Sequence, residues 1–248
     1  RGWSGAARAS VPTASVGGAS GSPPNRRHVR NGWSSSLAAM LLILVRHGRT
    51  TSNVGLVLDT AAPGADLDEE GRAQAQALVE RLAGHEVGAI FTSNLVRTQQ
   101  TAAPLAAARG LDVQVLPGLR EIPAGHEEMG NDATAYVTTM MRWHSGDVHA
   151  RIPGGETAVE FLERYDDAVN QIAAAGHQTA VVISHGAALR VWAIARVPGF
   201  AEAIGRAHFD NTGFMVAEGS PGSWRLLDAV GFMHYGNDPT ALSIDASQ

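Results

Sequence analysis

Two apolar runs in this chain end in the same way. LLILV (41–45) leads into Arg46-His47-Gly48, and AVVIS (180–184) leads into His185-Gly186. Runs of five apolar residues are short for a core helix, and they read as strands buried on both faces, as in a parallel sheet. Strands of that kind must be covered by helices on each side, which restricts the fold class to α/β. In such sheets ligands sit beyond the carboxyl ends of the strands, where the strand order reverses. Two imidazoles, each followed by a glycine, are therefore expected at one end of one sheet.

The remaining sequence alternates accordingly. DLDEEGRAQAQALVERLAG (66–84) has aspartates suited to capping, early carboxylates and helical apolar spacing. GAIFTS (88–93) predicts a strand, Asn94 opens a helix reaching about Ala108, and DVQVL (112–116) predicts a short strand. Helices are predicted over 133–145, 156–176 and 187–195, a buried strand over 178–186, and two late strands around 213–217 and 224–228. This order predicts a three-layer α/β/α sandwich on a mostly parallel sheet.

At 248 residues and 44% hydrophobic side chains, the chain is long enough for one full core. Residues 1–39 are rich in Ser, Gly, Ala, Pro and Arg with little apolar periodicity, and are expected to form a disordered extension; 40–248 is expected to be one folded domain. All 24 acidic residues follow Met40, against 14 of the 19 arginines, so the body carries a net charge near −10. Neither nucleic acid nor a membrane is expected as a partner of such a body. Arg26-Arg27 before SSSLAAMLLILV faintly resembles a twin-arginine signal. However, cleavage there would remove the first strand or the Arg46-His47 motif, so a cytoplasmic location is expected, and the absence of cysteine is consistent with it.

A third segment, FTSNLVRTQQTA (91–102), places Arg97 on the first turn of a helix after a strand, and GLREIPAG (118–125) offers Glu121. Two imidazoles, guanidiniums and a carboxylate match the needs of phosphoryl transfer. Arginines fork onto phosphoryl oxygens, an imidazole held in one tautomer attacks phosphorus, and a carboxylic acid protonates the departing alkoxide. The N–H groups at the start of a following helix could add to the charge stabilisation.

Arg46-His47-Gly48 with Thr50 and Asn53, SNLVRTQQTA, LREI, PGGET (153–157) and SHG (184–186), in that order, resemble the histidine phosphatase superfamily, also called phosphoglycerate mutase-like, over about residues 41–217. Any one tripeptide is weak and the ordered set is strong. The resemblance implies His47 as nucleophile and Arg46, Arg97 and His185 as the other members of the phosphate pocket. It also implies Asn53 and Thr50 as phosphoryl-oxygen donors, Gly48 as the turn that lets the chain approach the phosphate, and Glu121 as general acid and base. Glu127 and Glu128 are nearby rivals for that last role. The implied activity is hydrolysis of a small-molecule phosphomonoester without cofactor or metal, and the resemblance allows a homodimer, which many members form.

Alternatives fail at particular residues. Gly130 stands where HExxH, starting at His126, needs its second histidine. With no lysine there is no P-loop, and RHGRTTSN has too few glycines for a dinucleotide fingerprint. A mutase needs extra basic residues after the acid, and between Glu121 and Gly154 only Arg142 and Arg151 occur, which favours the hydrolase. A non-catalytic phospho-ligand module would have lost the nucleophile or the acid, and candidates for both are present. YVTTMMRWH (136–144) has a Tyr136, Met140, Met141 and Trp143 stripe that serves either as core or as a lid over an apolar leaving group. Arg49, where the family usually has Glu or Gln, either adds a third cation to the pocket rim or points to solvent.

Overall fold

The computed structural model describes residues 38–204 and 207–233. The expected extension over 1–39 lies outside the described residues except for its last two.

A six-stranded sheet in the order β3-β2-β4-β1-β5-β6 forms the centre. The strands are β1 Met40–Arg46, β2 Ala89–Thr92, β3 Val113–Val115, β4 Thr179–Ser184, β5 His208–Ser220 and β6 Ser223–Met233. β1, β2, β3 and β4 are mutually parallel, and β5 runs antiparallel to both of its neighbours. Alternate residues of β1 point to opposite faces, as the two-residue period of a strand requires. Leu42 and Leu44 join the larger apolar cluster, while Ile43 and Val45 join the smaller one.

The helices are α1 Thr51–Val54, α2 Glu69–Arg81, α3 Val96–Arg109, α4 Thr134–His144, α5 Ala158–Ala174, α6 Gly186–Arg196 and α7 Phe200–Ile204. Leu78 of α2 and Leu105 of α3 cover the Ile43 face; Tyr136 of α4, Phe161 and Tyr165 of α5, Trp192 of α6 and Phe200 of α7 cover the Leu42 face. The chain is thus the expected three-layer α/β/α sandwich. Among the described residues no helix is long and apolar enough to cross a membrane.

Helix starts differ from the sequence expectation for a capping reason. α2 begins at Glu69 rather than 66 because Asp68 stays extended and accepts the Gly71 N–H at 2.7 Å. α5 begins at Ala158 because Thr157 and Glu160 form a reciprocal capping box. The short α1 and α7 were not expected. The late strands are far longer than 213–217 and 224–228, because the polar stretch HFDNTG (208–213) belongs to β5 despite its loop-like composition.

Candidate active site

Strand register brings the two histidines together. Arg46 of β1 pairs with Ser184 of β4, and the His47 N–H continues the ladder to the Ser184 carbonyl at 3.0 Å. The next side chains, His47 and His185, therefore emerge side by side, with ring centroids 5.2 Å apart at 61°. Both are almost fully buried.

His47 Nδ1 lies 2.7 Å from the Gly48 carbonyl oxygen. Because a carbonyl only accepts, the proton is on Nδ1 and the lone pair is on Nε2. Nε2 accepts a hydrogen bond from Arg97 Nε at 3.1 Å. Burial, then the charges of Arg97 and Arg46, hold this imidazole well below its ordinary pKa of 6.5, against the opposing pull of the Gly48 carbonyl. His47 is thus a neutral imidazole with a fixed tautomer, as an attacking nitrogen must be. His185 is also depressed, by burial first and then by Arg97 and His47. Its Nε2 is 2.8 Å from Ser93 Oγ.

Arg97, on the first turn of α3 and 4% exposed, donates from Nη2 to the Asp59 carbonyl at 2.7 Å and keeps Nη1 3.8 Å from Asp59 Oδ2. Arg97 Nη1 and His185 Nδ1 are buried nitrogens without a hydrogen-bond partner. A buried guanidinium donor such as Arg97 Nη1 calls for an acceptor, and a phosphoryl oxygen is one. Arg46 is equally buried and donates from Nη1 to the Phe209 carbonyl.

Glu121 is 4% exposed and fixed from two sides. Its Oε1 accepts the N–H groups of Ile122 and Ala188, both at 2.8 Å, and Oε2 accepts that of Ala187 at 3.2 Å. Ala187 and Ala188 belong to the first turn of α6, whose N-cap His185 makes no side-chain capping bond, so Glu121 caps that helix. The sequence had pointed to these helix-start N–H groups as phosphate donors; two of them are engaged by the carboxylate instead. Burial raises the Glu121 pKa above its ordinary 4.5, opposed by those N–H groups and by Arg97. Behind it, Arg164 of α5 donates to the carbonyls of Gly118, Arg120 and Glu121 at 2.8, 2.9 and 3.1 Å, and binds Glu156 of the PGGET segment through Nε at 3.0 Å. PGGET therefore acts on the acid through its backbone.

The rival acids are engaged elsewhere. Glu127 accepts the Ala135 and Tyr136 N–H groups of α4, both at 3.0 Å, and Glu128 accepts the Thr60 and Ala61 N–H groups at 2.8 and 2.9 Å.

His47, Thr50, Asn53, Arg97 and Glu121 line one cleft, together with Ser52, Val57, Leu58, Asp59, Thr60 and Tyr136. Thr50 and Asn53 cap α1 reciprocally: Thr50 Oγ1 accepts the Asn53 N–H at 3.2 Å and Asn53 Oδ1 accepts the Thr50 N–H at 3.0 Å. With Oδ1 occupied, the group Asn53 can offer a ligand is its Nδ2 amide. Gly48, like Arg46 and His185, is not among the lining residues; its N–H donates to Thr101 Oγ1 at 2.9 Å, and an added Cβ would lie 2.6 Å from the Gly71 oxygen, so helix α2 excludes a side chain there. Arg49 also turns to α2, with Nε 2.7 Å from Asp68 Oδ2.

One contributor escaped the sequence reading. β5 shifts register between Phe209 and Phe214, and there Asn211 Nδ2 donates to the His47 carbonyl at 3.0 Å and to Asn53 Oδ1 at 3.3 Å. Thr212, held in the left-handed region at φ 55°, adds its N–H to the same carbonyl at 3.3 Å, and Arg81 Nη1 secures the Thr212 carbonyl at 2.8 Å. A β-branched residue in that conformation is strained and persists only where its surroundings enforce it. Among the described residues no group of three or more His, Asp or Glu is placed to hold a metal ion.

Comparison with known proteins agrees with this geometry. The adenosylcobalamin/alpha-ribazole phosphatase of Escherichia coli K12 is 31% identical over 198 residues, 76% of this chain and 90% of that protein. The probable phosphoglycerate mutase GpmB of Proteus mirabilis is 36% identical over 151 residues, 59% of this chain and 69% of its own. The PE-PGRS family protein PE_PGRS11 of Mycobacterium tuberculosis H37Rv is 34% identical over 232 residues, 85% of this chain, which spans only 40% of that longer protein. A mycobacterial glucosyl-3-phosphoglycerate phosphatase solved with VO3 superposes with a TM-score of 0.65 at 27% identity, covering 77% of this chain and 98% of that one. Residues 42–230, nearly the whole described sandwich, match the Histidine phosphatase superfamily (branch 1). The chain belongs to that superfamily.

Proposed function

We propose that the protein is a metal-independent phosphomonoester hydrolase working through a phosphohistidine. The observation that carries this is the fixed Nδ1–H tautomer of a buried, neutral His47, with Nε2 against Arg97 in the cleft that Glu121 also lines. Nε2 attacks phosphorus, forming P–N as the ester P–O bond breaks, and Glu121 gives its proton to the leaving alkoxide. Arg97 moves from Nε2 to the phosphoryl oxygens, sharing their charge with Arg46 and His185. Water then attacks phosphorus, P–N breaks, and Glu121 takes the water proton. The phosphatases among the relatives support this reading.

Phosphoglycerate mutase activity is a second reading, favoured by the GpmB likeness. Such a reaction must hold a second anionic group, and Arg97 is the sole arginine lining the cleft among the described residues, which supports hydrolysis.

The experiment is acid-labile labelling with a 32P-phosphomonoester. Wild type traps a phosphoryl adduct that His47→Ala does not, and the variant loses phosphate release. Hydrolysis retained in His47→Ala overturns the mechanism. Conversion of 3-phosphoglycerate to 2-phosphoglycerate exceeding phosphate release would favour the mutase.

A further inference from the structure

Beyond His47, Arg97 and Glu121, the residues lining the cleft have most of their polar groups already engaged. Ser52 Oγ donates to Asp59 Oδ2 at 2.8 Å. Thr60 Oγ1 donates to Glu128 Oε2 and accepts the Ala124 N–H at 2.9 Å. The Tyr136 hydroxyl donates to the Ile122 carbonyl at 3.1 Å, so the ring is what that residue can offer a ligand. Val57 and Leu58 complete this wall. The charged groups here are the carboxylates Asp59 and Glu128, with Arg97 held against Asp59. Arg49 is committed to Asp68, and Arg164 and Arg120 to Glu156.

The rim is apolar and exposed. Leu56 stands two residues before Leu58 with 42% of its surface in solvent, and Met129, whose N–H bonds the Leu58 carbonyl at 2.7 Å, is 64% exposed. Both are non-glycine residues in the left-handed region, at φ 53° and 60°. Large apolar side chains held in solvent on strained backbone beside a cleft are costly unless a ligand covers them.

We propose that this wall and rim form the leaving-group subsite, taking an uncharged alcohol with an apolar or aromatic face against Val57, Leu58 and Tyr136, closed over by Leu56 and Met129. A leaving group bearing a second anion meets two carboxylates, and Arg97, the sole arginine lining the cleft among the described residues, is taken by the phosphoryl group in the proposed mechanism. One bearing many hydroxyls finds few unengaged partners. The inference rests on the hydrolase reading and adds to it the class of substrate.

The test is kcat/KM for n-alkyl phosphates from ethyl to hexyl, for phenyl phosphate, and for 3-phosphoglycerate and glucose 6-phosphate, in wild type, Leu56→Asn/Met129→Asn and Leu227→Asn. Asparagine tolerates positive φ, so the double variant removes apolar surface without adding backbone strain. Burying each methylene is expected to raise kcat/KM about fourfold, with phenyl phosphate well above 3-phosphoglycerate. The double variant should flatten the hexyl-to-ethyl ratio, and Leu227→Asn, on exposed β6 surface, should keep it. His47-dependent hydrolysis that favours 3-phosphoglycerate or glucose 6-phosphate, or a chain-length slope surviving in the double variant, overturns this inference alone. Loss of all His47-dependent phosphate release overturns both it and the hydrolase reading.

Discussion

Gly71 lies in the first turn of α2, far in sequence from His47, yet it is where the segment following His47 meets that helix. A Cβ on Gly71 would stand 2.8 and 2.9 Å from the Arg49 N and C atoms and closer still to the Arg49 carbonyl oxygen. These are backbone atoms, so no rotamer change relieves the clash. Restoring ordinary contact of about 3.4 Å requires a shift of at least about 0.6 Å in the segment two residues beyond His47. That shift strains the Asp68 N–H bond to the Arg49 carbonyl, 3.0 Å, and the Gly48 N–H bond to Thr101.

Helix propensity alone says that Gly71→Ala stabilises by about 1 kcal/mol. Overpacking costs about 1–3 kcal/mol, and a weakened hydrogen bond about 1 more, so the net effect is destabilising by about 1–3 kcal/mol. In a chain of this size that lowers Tm by about 2–4 °C per kcal/mol. Misplacement by about 1 Å is worth about a hundredfold in rate, so a shift of this size predicts a loss in kcat of about tenfold, measured well below Tm. Gly84→Ala, whose Cβ meets nothing within 4 Å, is the matched control. If Gly71→Ala raises Tm as propensity alone demands and keeps wild-type kcat, then the α2 contact does not position His47 and the reasoning fails.

Glu121→Gln should slow alkyl phosphates by about 10²–10⁴-fold but spare aryl phosphates, whose leaving groups need no acid; equal losses would argue against Glu121 as the donor. For the same pair, kcat/KM should rise with pH as His47 loses its proton below 6.5 and fall as Glu121 ionises above 4.5, and the alkaline limb should weaken for the aryl ester. Asn211→Ala leaves the His47 carbonyl to Thr212 alone and should lower kcat several-fold while moving KM little; an unchanged kcat would deny it a positioning role. The two histidines are lowered on folding, so the unfolded chain binds more protons and stability falls as pH drops below 6.5, by at most about 1.4 kcal/mol per pH unit for each; Glu121, raised on folding, has the opposite sign. Denaturant titrations should therefore show a shallower acid loss in His185→Gln than in wild type.

The parts legible in the sequence were those carried by local pattern. LLILV and AVVIS announced strands buried on both faces, and both proved to be centre strands whose register aligns His47 with His185. Arg97 was legible from its place after a strand. What sequence could not supply was direction. Arg49 sits beside the nucleophile in the chain but turns to Asp68, because the α2 N-cap lies on that side. Glu121 could be separated from Glu127 and Glu128 only once the latter two were seen engaged with α4 and the 60–61 backbone. Asn211 had no signal: HFDNTG reads as a turn, and its function depends on a register shift between strands that are distant from His47 in sequence.

A single physical cause divides the roles in this site. His47 and Glu121 are buried together, and burial disfavours the charged form of each, which lowers one pKa and raises the other. The free enzyme is thereby driven towards a neutral His47 and a protonated Glu121, the pairing that the first step of the proposed mechanism needs. Arg97 pushes both pKa values down, reinforcing burial at His47 and opposing it at Glu121. An arriving phosphoryl group would draw that positive charge onto its own oxygens, weakening its pull on the carboxyl and holding the proton on Glu121 until the alkoxide leaves. Having given its proton to the departing alkoxide, Glu121 is left in the proposed mechanism as the carboxylate that serves as base in the second step, and its raised pKa favours taking the proton back from water.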